Sequence, residues 1–79
     1  VIIYLQRREK VSIFGMNLKH LRTERDASQS DVARATGVRQ SMISAIENGE
    51  RTPSLDLAFR IATYFDVTVD SLYRERINA

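Results

Sequence analysis

The stretch SQSDVARATGVRQSMISAIENG, residues 28–49, decides the fold. Ser28 is a good N-cap, and Asp31 three positions later suits the first turn of a helix. QSDVARAT follows, with Val32 and Ala33 facing inward and Ala35 allowing close packing. Gly37 stands where helices commonly end in a left-handed residue, a conformation that glycine adopts without penalty. A second helix begins at once. Val38, Met42, Ile43 and Ile46 form its buried stripe, and Gly49 closes it. Only a few residues around Gly37 join the two helices, and so short a turn forces a large angle between them. The second helix therefore projects, as a helix of an up-down bundle does not. It is too short to hold itself together in water. Its other faces carry the uncharged polar residues Gln40, Ser41, Ser44 and Asn48. Spacing alone leaves open whether that polar side meets solvent or a partner.

The flanking sequence supplies three more helices. Phe14, Leu18 and Leu21 stand at i, i+4 and i+7, a coherent apolar stripe that runs to about Arg25. Ser12 or Asn17 caps it, and Asp26 and Ala27 lead out. ERTPS is a loop in which Pro53 is tolerated, and Ser54 caps the next helix. There Leu55, Ala58, Phe59, Ile61, Ala62 and Phe65 form a broad apolar stripe. Asp66 and Val67 turn the chain, and Thr68 caps a last short helix with Val69, Leu72 and Tyr73 inward. The sequence thus predicts an all-α domain of five short helices.

Composition narrows the function classes. The 79 residues suffice for one small domain, not two, and such a domain has a thin core. With no cysteine and one histidine, disulfides and metal staples are not expected. His20 reads as a solvated residue with no second ligand. No apolar run is long enough to span a membrane, and VIIYL (1–5) is followed, not preceded, by the basic QRREK. The chain reads as soluble and cytoplasmic. Residues 1–51 hold nine Lys/Arg against six Asp/Glu, whereas residues 52–79 hold three against four. The basic surplus lies in the half that contains the projecting helix. No Ser/His/Asp or Cys/His set, phosphate-cradling glycine loop or metal-ligand spacing is present, so neither an enzyme nor a cofactor is expected.

NLKHLRTERDASQSDVA (17–33), TGVRQSMISAIENGERTPSL (36–55) and LAFRIATYFDVTVDSLY (57–73) together resemble the phage repressor/Cro (Xre-like) family. The resemblance covers about residues 16–73 and combines caps, turn glycine, core and surface in one register. It implies a compact five-helix, lambda-repressor-like, helix-turn-helix DNA-binding domain over residues 16–79, with residues 1–15 as an extension, arm or short strand. It implies that the third helix lies in the DNA major groove, its N-terminal residues toward base edges. Gln40 and Ser41 match the leading base-reading positions. Arg39, Ser44 and Ala45 match flanking contact positions. Gln29 matches a glutamine that grips phosphate and braces the recognition helix, and Asn48 an asparagine that approaches phosphate. Arg22 and Glu47 match an arginine–glutamate pair that fixes that helix against the first one.

The chemistry suits these roles. A glutamine amide offers a donor and an acceptor to the N6/N7 edge of adenine, and Ala45 can touch a thymine methyl. The expected function is a sequence-specific transcriptional regulator of double-stranded DNA, a homodimeric repressor on a palindromic operator. The expected dimer surface is Val69, Leu72, Tyr73 and Ile77, with Tyr64 nearby. The alternative is an antitoxin-like or other protein-interaction module on the same fold. Two departures bear on this. The family's glycine-containing link before "SQ" is here Asp26-Ala27, and Glu50 places acidic charge near the proposed DNA face.

Overall fold

The structure, a computed structural model, describes residues 12–75. Five helices follow one another among them: α1 (Ile13–Glu24), α2 (Gln29–Thr36), α3 (Gln40–Glu47), α4 (Leu55–Phe65) and α5 (Val69–Leu72). VIIYL, QRREK and Ile77 lie outside the described residues.

Side-chain caps start four of the helices. The Ser12 hydroxyl accepts from the Gly15 amide at 2.9 Å, which places the start of α1 before Met16 and makes Ser12–Gly15 part of the folded unit. Ser28 and Asp31 form a reciprocal capping box on α2, with bonds of 2.9 and 2.8 Å. Ser54 and Thr68 cap α4 and α5. α3 is the exception, since Arg39 precedes it and offers no side-chain cap.

Four helices also end alike. Asp26, Gly37, Gly49 and Asp66 are left-handed, with φ of 54°, 77°, 78° and 57°. In each case the next amide donates to the carbonyl five residues earlier: Ala27 to Arg22, Val38 to Ala33, Glu50 to Ala45 and Val67 to Ala62, at 2.9–3.1 Å. Aspartate is among the few residues besides glycine that enter this region. Asp26 therefore makes the turn for which the family pattern uses glycine.

Phe14, Leu18 and Leu21 of α1 meet Val32 and Ala33 of α2, Ile43 and Ile46 of α3, the inner line of α4, and Leu72 in one core. Three expectations are corrected. The inner line of α4 is Leu57, Ala58, Ile61, Ala62 and Phe65, while Leu55 and Phe59 stand on its flank, 66% and 53% exposed. Ala35 faces solvent, and the buried residue beside it is Thr36, whose hydroxyl donates to the Val32 carbonyl at 2.8 Å. Val38 and Met42 are half-buried and border the core rather than fill it.

Candidate nucleic-acid interface

α3 is seated against α1 and α2. Ile43 and Ile46 are fully buried and anchor it. At 100° per residue, Gln40, Ser44, Asn48, Ser41 and Ala45 occupy a sector of about 140° on the opposite side. Gln40, Ser41 and Asn48 are exposed, and Ser44 and Ala45 are half-buried. Arg39 is exposed just ahead of the helix. The expected contact residues of α3 thus share one outward surface.

Three residues position that surface: Gly15 and Arg60, which carried no assigned role in the sequence, and Asn17, which was read there as a candidate cap. Gly15 lies where α1 crosses the end of α3. A Cβ there would stand 2.3 Å from the Ile46 carbonyl oxygen and 3.2 Å from the Glu47 Cα. The two backbones touch because no side chain separates them. The signal available was a glycine inside an amphipathic helix, which costs about 1 kcal/mol against alanine unless packing requires it. Asn17 is buried, not a cap. Its Nδ2 donates to the Leu72 and Arg74 carbonyls at 3.0 Å each and faces that of Ser71 at 3.4 Å, tying α1 to the end of α5. Arg60 of α4 donates through Nη1 to the Thr36 carbonyl at 2.7 Å, which holds the end of α2 just ahead of the Gly37 turn.

A polar chain then runs from the interior to the outer surface. The Glu47 side chain is only 3% exposed. It accepts from Arg22 Nε at 2.7 Å and Nη2 at 3.0 Å, and from Gln29 Nε2 at 3.0 Å. Arg22 Nη1 donates to the Ala27 carbonyl at 3.1 Å. The hydrogen bonds to Glu47 hold the Arg22 guanidinium above its ordinary range against the opposing effect of burial, with the carboxylate charge adding to them. No buried side-chain polar atom among the described residues lacks a partner.

The carboxylate sets the direction of this chain. An ionised carboxylate only accepts, so Gln29 must turn its NH₂ toward Glu47. Its Oε1 then faces Gln40, which must present its own NH₂; Gln40 Nε2 donates to Gln29 Oε1 at 2.8 Å. One hydrogen of the Gln40 amide is used there. The other hydrogen and Oε1 remain, the donor–acceptor pair that matches an adenine edge.

This is a helix held by a buried ion pair beneath it, with a glutamine aimed outward from its first turn. A helix-turn-helix model matches residues 18–72. The chain belongs to the helix-turn-helix family. Relatives in the family include an uncharacterized transcriptional regulator of Methanocaldococcus jannaschii, 41% identical over 71% of this chain and 85% of its own length. The transcriptional repressor RstR of the cryptic phage CTXphi in Vibrio cholerae is 32% identical over 76% of this chain and 54% of its own length. SinR, a master regulator for biofilm formation, has been solved in complex with DNA, with 31% identity, 77% of this chain and 98% of that chain covered, and a TM-score of 0.73. It has also been solved with the SinI protein, with 32% identity, 78% and 61% covered, and a TM-score of 0.73.

The remaining site residues fall as follows. Of the expected dimer surface, Leu72 is fully buried in the domain's own core, so it offers no area to a partner. Val69 is half-buried and Tyr73 is 46% exposed. Tyr73 packs its ring against Phe14 with centroids 5.0 Å apart. Glu50 and Arg51 are both exposed where the chain leaves α3. Among the described residues, no helix is long and apolar enough to cross a membrane.

Proposed function

We propose that this chain is a transcriptional regulator that reads double-stranded DNA sequence-specifically, acting as a repressor, with α3 in the major groove. The carrying observation is the carboxylate-oriented chain from Glu47 through Gln29 to Gln40. It presents a base-reading amide already ordered before DNA arrives, which lowers the entropic cost of recognition. Ser41 sits beside Gln40 for a neighbouring base, while Arg39, Ser44, Ala45 and Asn48 flank it. Gln29 serves as brace. RstR, named as a repressor, and the SinR–DNA complex support the reading.

One recognition helix spans only a few base pairs. Two copies about 34 Å apart would read a palindrome. Among the exposed apolar side chains, Leu55, Phe59 and Tyr64 of α4 and Tyr73 beyond α5 are open to a second copy, with Val69 between core and surface. A protein partner is the second reading, favoured by the SinR–SinI structure. Selection from random duplex DNA, then titration of the selected site at several salt concentrations, tests the first. Affinity should fall steeply with salt and be abolished by Gln40→Ala with Ser41→Ala. Failure to enrich any site would refute it.

A further inference from the structure

We propose that the apolar segment VIIYL, residues 1–5, docks on the outer face of its own α1. Two adjoining depressions lie along that face. One, of about 250 Å³, is lined by Ile13, Met16, Asn17, His20 and Glu75, and its lining is mainly apolar. The other is lined by Met16, Lys19, His20 and Thr23. They share Met16 and His20, so they form one groove. Ile13, Met16, His20 and Thr23 recur every three or four residues, a second stripe on α1 turned away from the core stripe of Phe14, Leu18 and Leu21. Ile13 and Met16 are 39% and 55% exposed. Asn17 adds little polarity, because it is buried and its Nδ2 is committed to the Leu72 and Arg74 carbonyls.

The occupant that fits is the chain just ahead of α1. VIIYL is an unbroken apolar run, a costly surface to leave in water. Residues 6–11 join it to Ser12, beside the Ile13 end of the groove, and a link of that length spans at most about 20 Å. Ile13 to Thr23 covers about 15 Å of helix, so the segment reaches all of the groove. So short a link holds the two surfaces at an effective concentration on the order of millimolar, which a second copy does not match in dilute solution. The charges agree as well. QRREK, residues 6–10, holds three basic residues against one acidic. Glu75 stands exposed on the groove wall, and it is not ion-paired to another described residue. An apolar segment followed by a basic one thus matches an apolar floor entered past a carboxylate. Docked there, VIIYL adds apolar contact to a small domain from within its own chain.

The chain holds two methionines, Met16 in the groove and Met42 half-buried at the edge of the core, so oxidation reads the docking without a label. The 79-residue chain is treated with dilute hydrogen peroxide, and initial rates of sulfoxide formation at both positions are measured by peptide mass spectrometry. A bare groove makes Met16, at 55% exposed, the faster of the two. A docked segment reverses that order. Ile2→Asp with Ile3→Asp should then raise the Met16 rate by about tenfold or more, the change that uncovering one buried isoleucine supports, and leave Met42 unchanged. Met42 also reports folding, since unfolding exposes both. If the variant fails to fold, the order in the unmodified protein decides alone. Met16 oxidising faster than Met42 in the unmodified protein, or equally fast there and in the folded variant, would overturn the proposal. Protection of Met16 that is lost on dilution would overturn it too, by assigning the groove to a second copy.

Discussion

Replacing Gly15 with alanine sets helix propensity against tertiary packing. Taken as a helix position, alanine is better than glycine by about 1 kcal/mol. The structure reverses the sign. The new Cβ would lie 2.3 Å from the Ile46 carbonyl oxygen, 2.9 Å from the Ser12 hydroxyl and 3.2 Å from the Glu47 Cα. Restoring ordinary contact with the carbonyl requires a retreat of about 1 Å. Two of the three neighbours are backbone and cannot rotate away. Overpacking of this kind costs about 1–3 kcal/mol, and here the upper end applies because whole helices must move. Displacing Ser12 weakens a cap worth about 1 kcal/mol. Against the propensity gain, the net loss is about 2–3 kcal/mol. For a domain of this size that lowers the melting temperature by roughly 8–24 °C. Circular dichroism melting measures it. A peptide spanning residues 12–25 is the control, since there the same substitution should raise helix content. A melting temperature for the full chain that is unchanged or higher would refute the close approach of α1 to α3.

Three further outcomes follow from the same geometry. Glu47→Ala leaves Arg22 partly buried without its carboxylate and frees Gln29, so it should cost about 3 kcal/mol, the lower end of the range for such losses; an unchanged melting temperature would sink the structural role of the pair. Asn17→Ala removes the donor from the Leu72 and Arg74 carbonyls. It should destabilise by about 1–3 kcal/mol in chemical denaturation, and a neutral result would mean that water satisfies those carbonyls instead. The Asp31 carboxyl is held below its ordinary value of 3.8 by the Ser28 amide, then the Ser28 hydroxyl, with Arg34 adding to them. A depressed folded value means that its contribution is complete above the ordinary value and fades as pH falls through the depressed one. Asp31→Asn should therefore lower the melting temperature at neutral pH, and the gap should close in strong acid. A gap that persists there would assign the loss to something other than the charge.

Much of this molecule is written in local sequence. Ser28 with Asp31, and Gly37, mark helix ends by chemistry that depends on neighbours one to five residues away. The stripes of α1 and α3 follow from 3.6-residue periodicity, and family register identified the outward residues of α3 and the Arg22–Glu47 pair. Where local rules were ambiguous, they misplaced side chains. Leu55 and Phe59 fit an apolar stripe as well as Leu57 does, because helical spacing defines a face without saying which part of it other helices cover. Asp26 and Asp66 end helices as glycine does, yet an aspartate near a helix end reads equally well as a solvated charge.

The sequence by itself determined the five helices, the caps at Ser28, Ser54 and Thr68, and the short turn at Gly37 that makes α3 project, because each is a contest among dihedral preferences, caps and apolar spacing along a few turns of chain. Only the tertiary structure decided the rest. Gly15 matters because a carbonyl 31 positions away comes within contact distance. Asn17 was free to be a cap until the end of α5 was brought to it. The direction of the Gln29–Gln40 bond follows from a carboxylate buried beneath them, and burial is a property of packed surfaces that no single helix possesses.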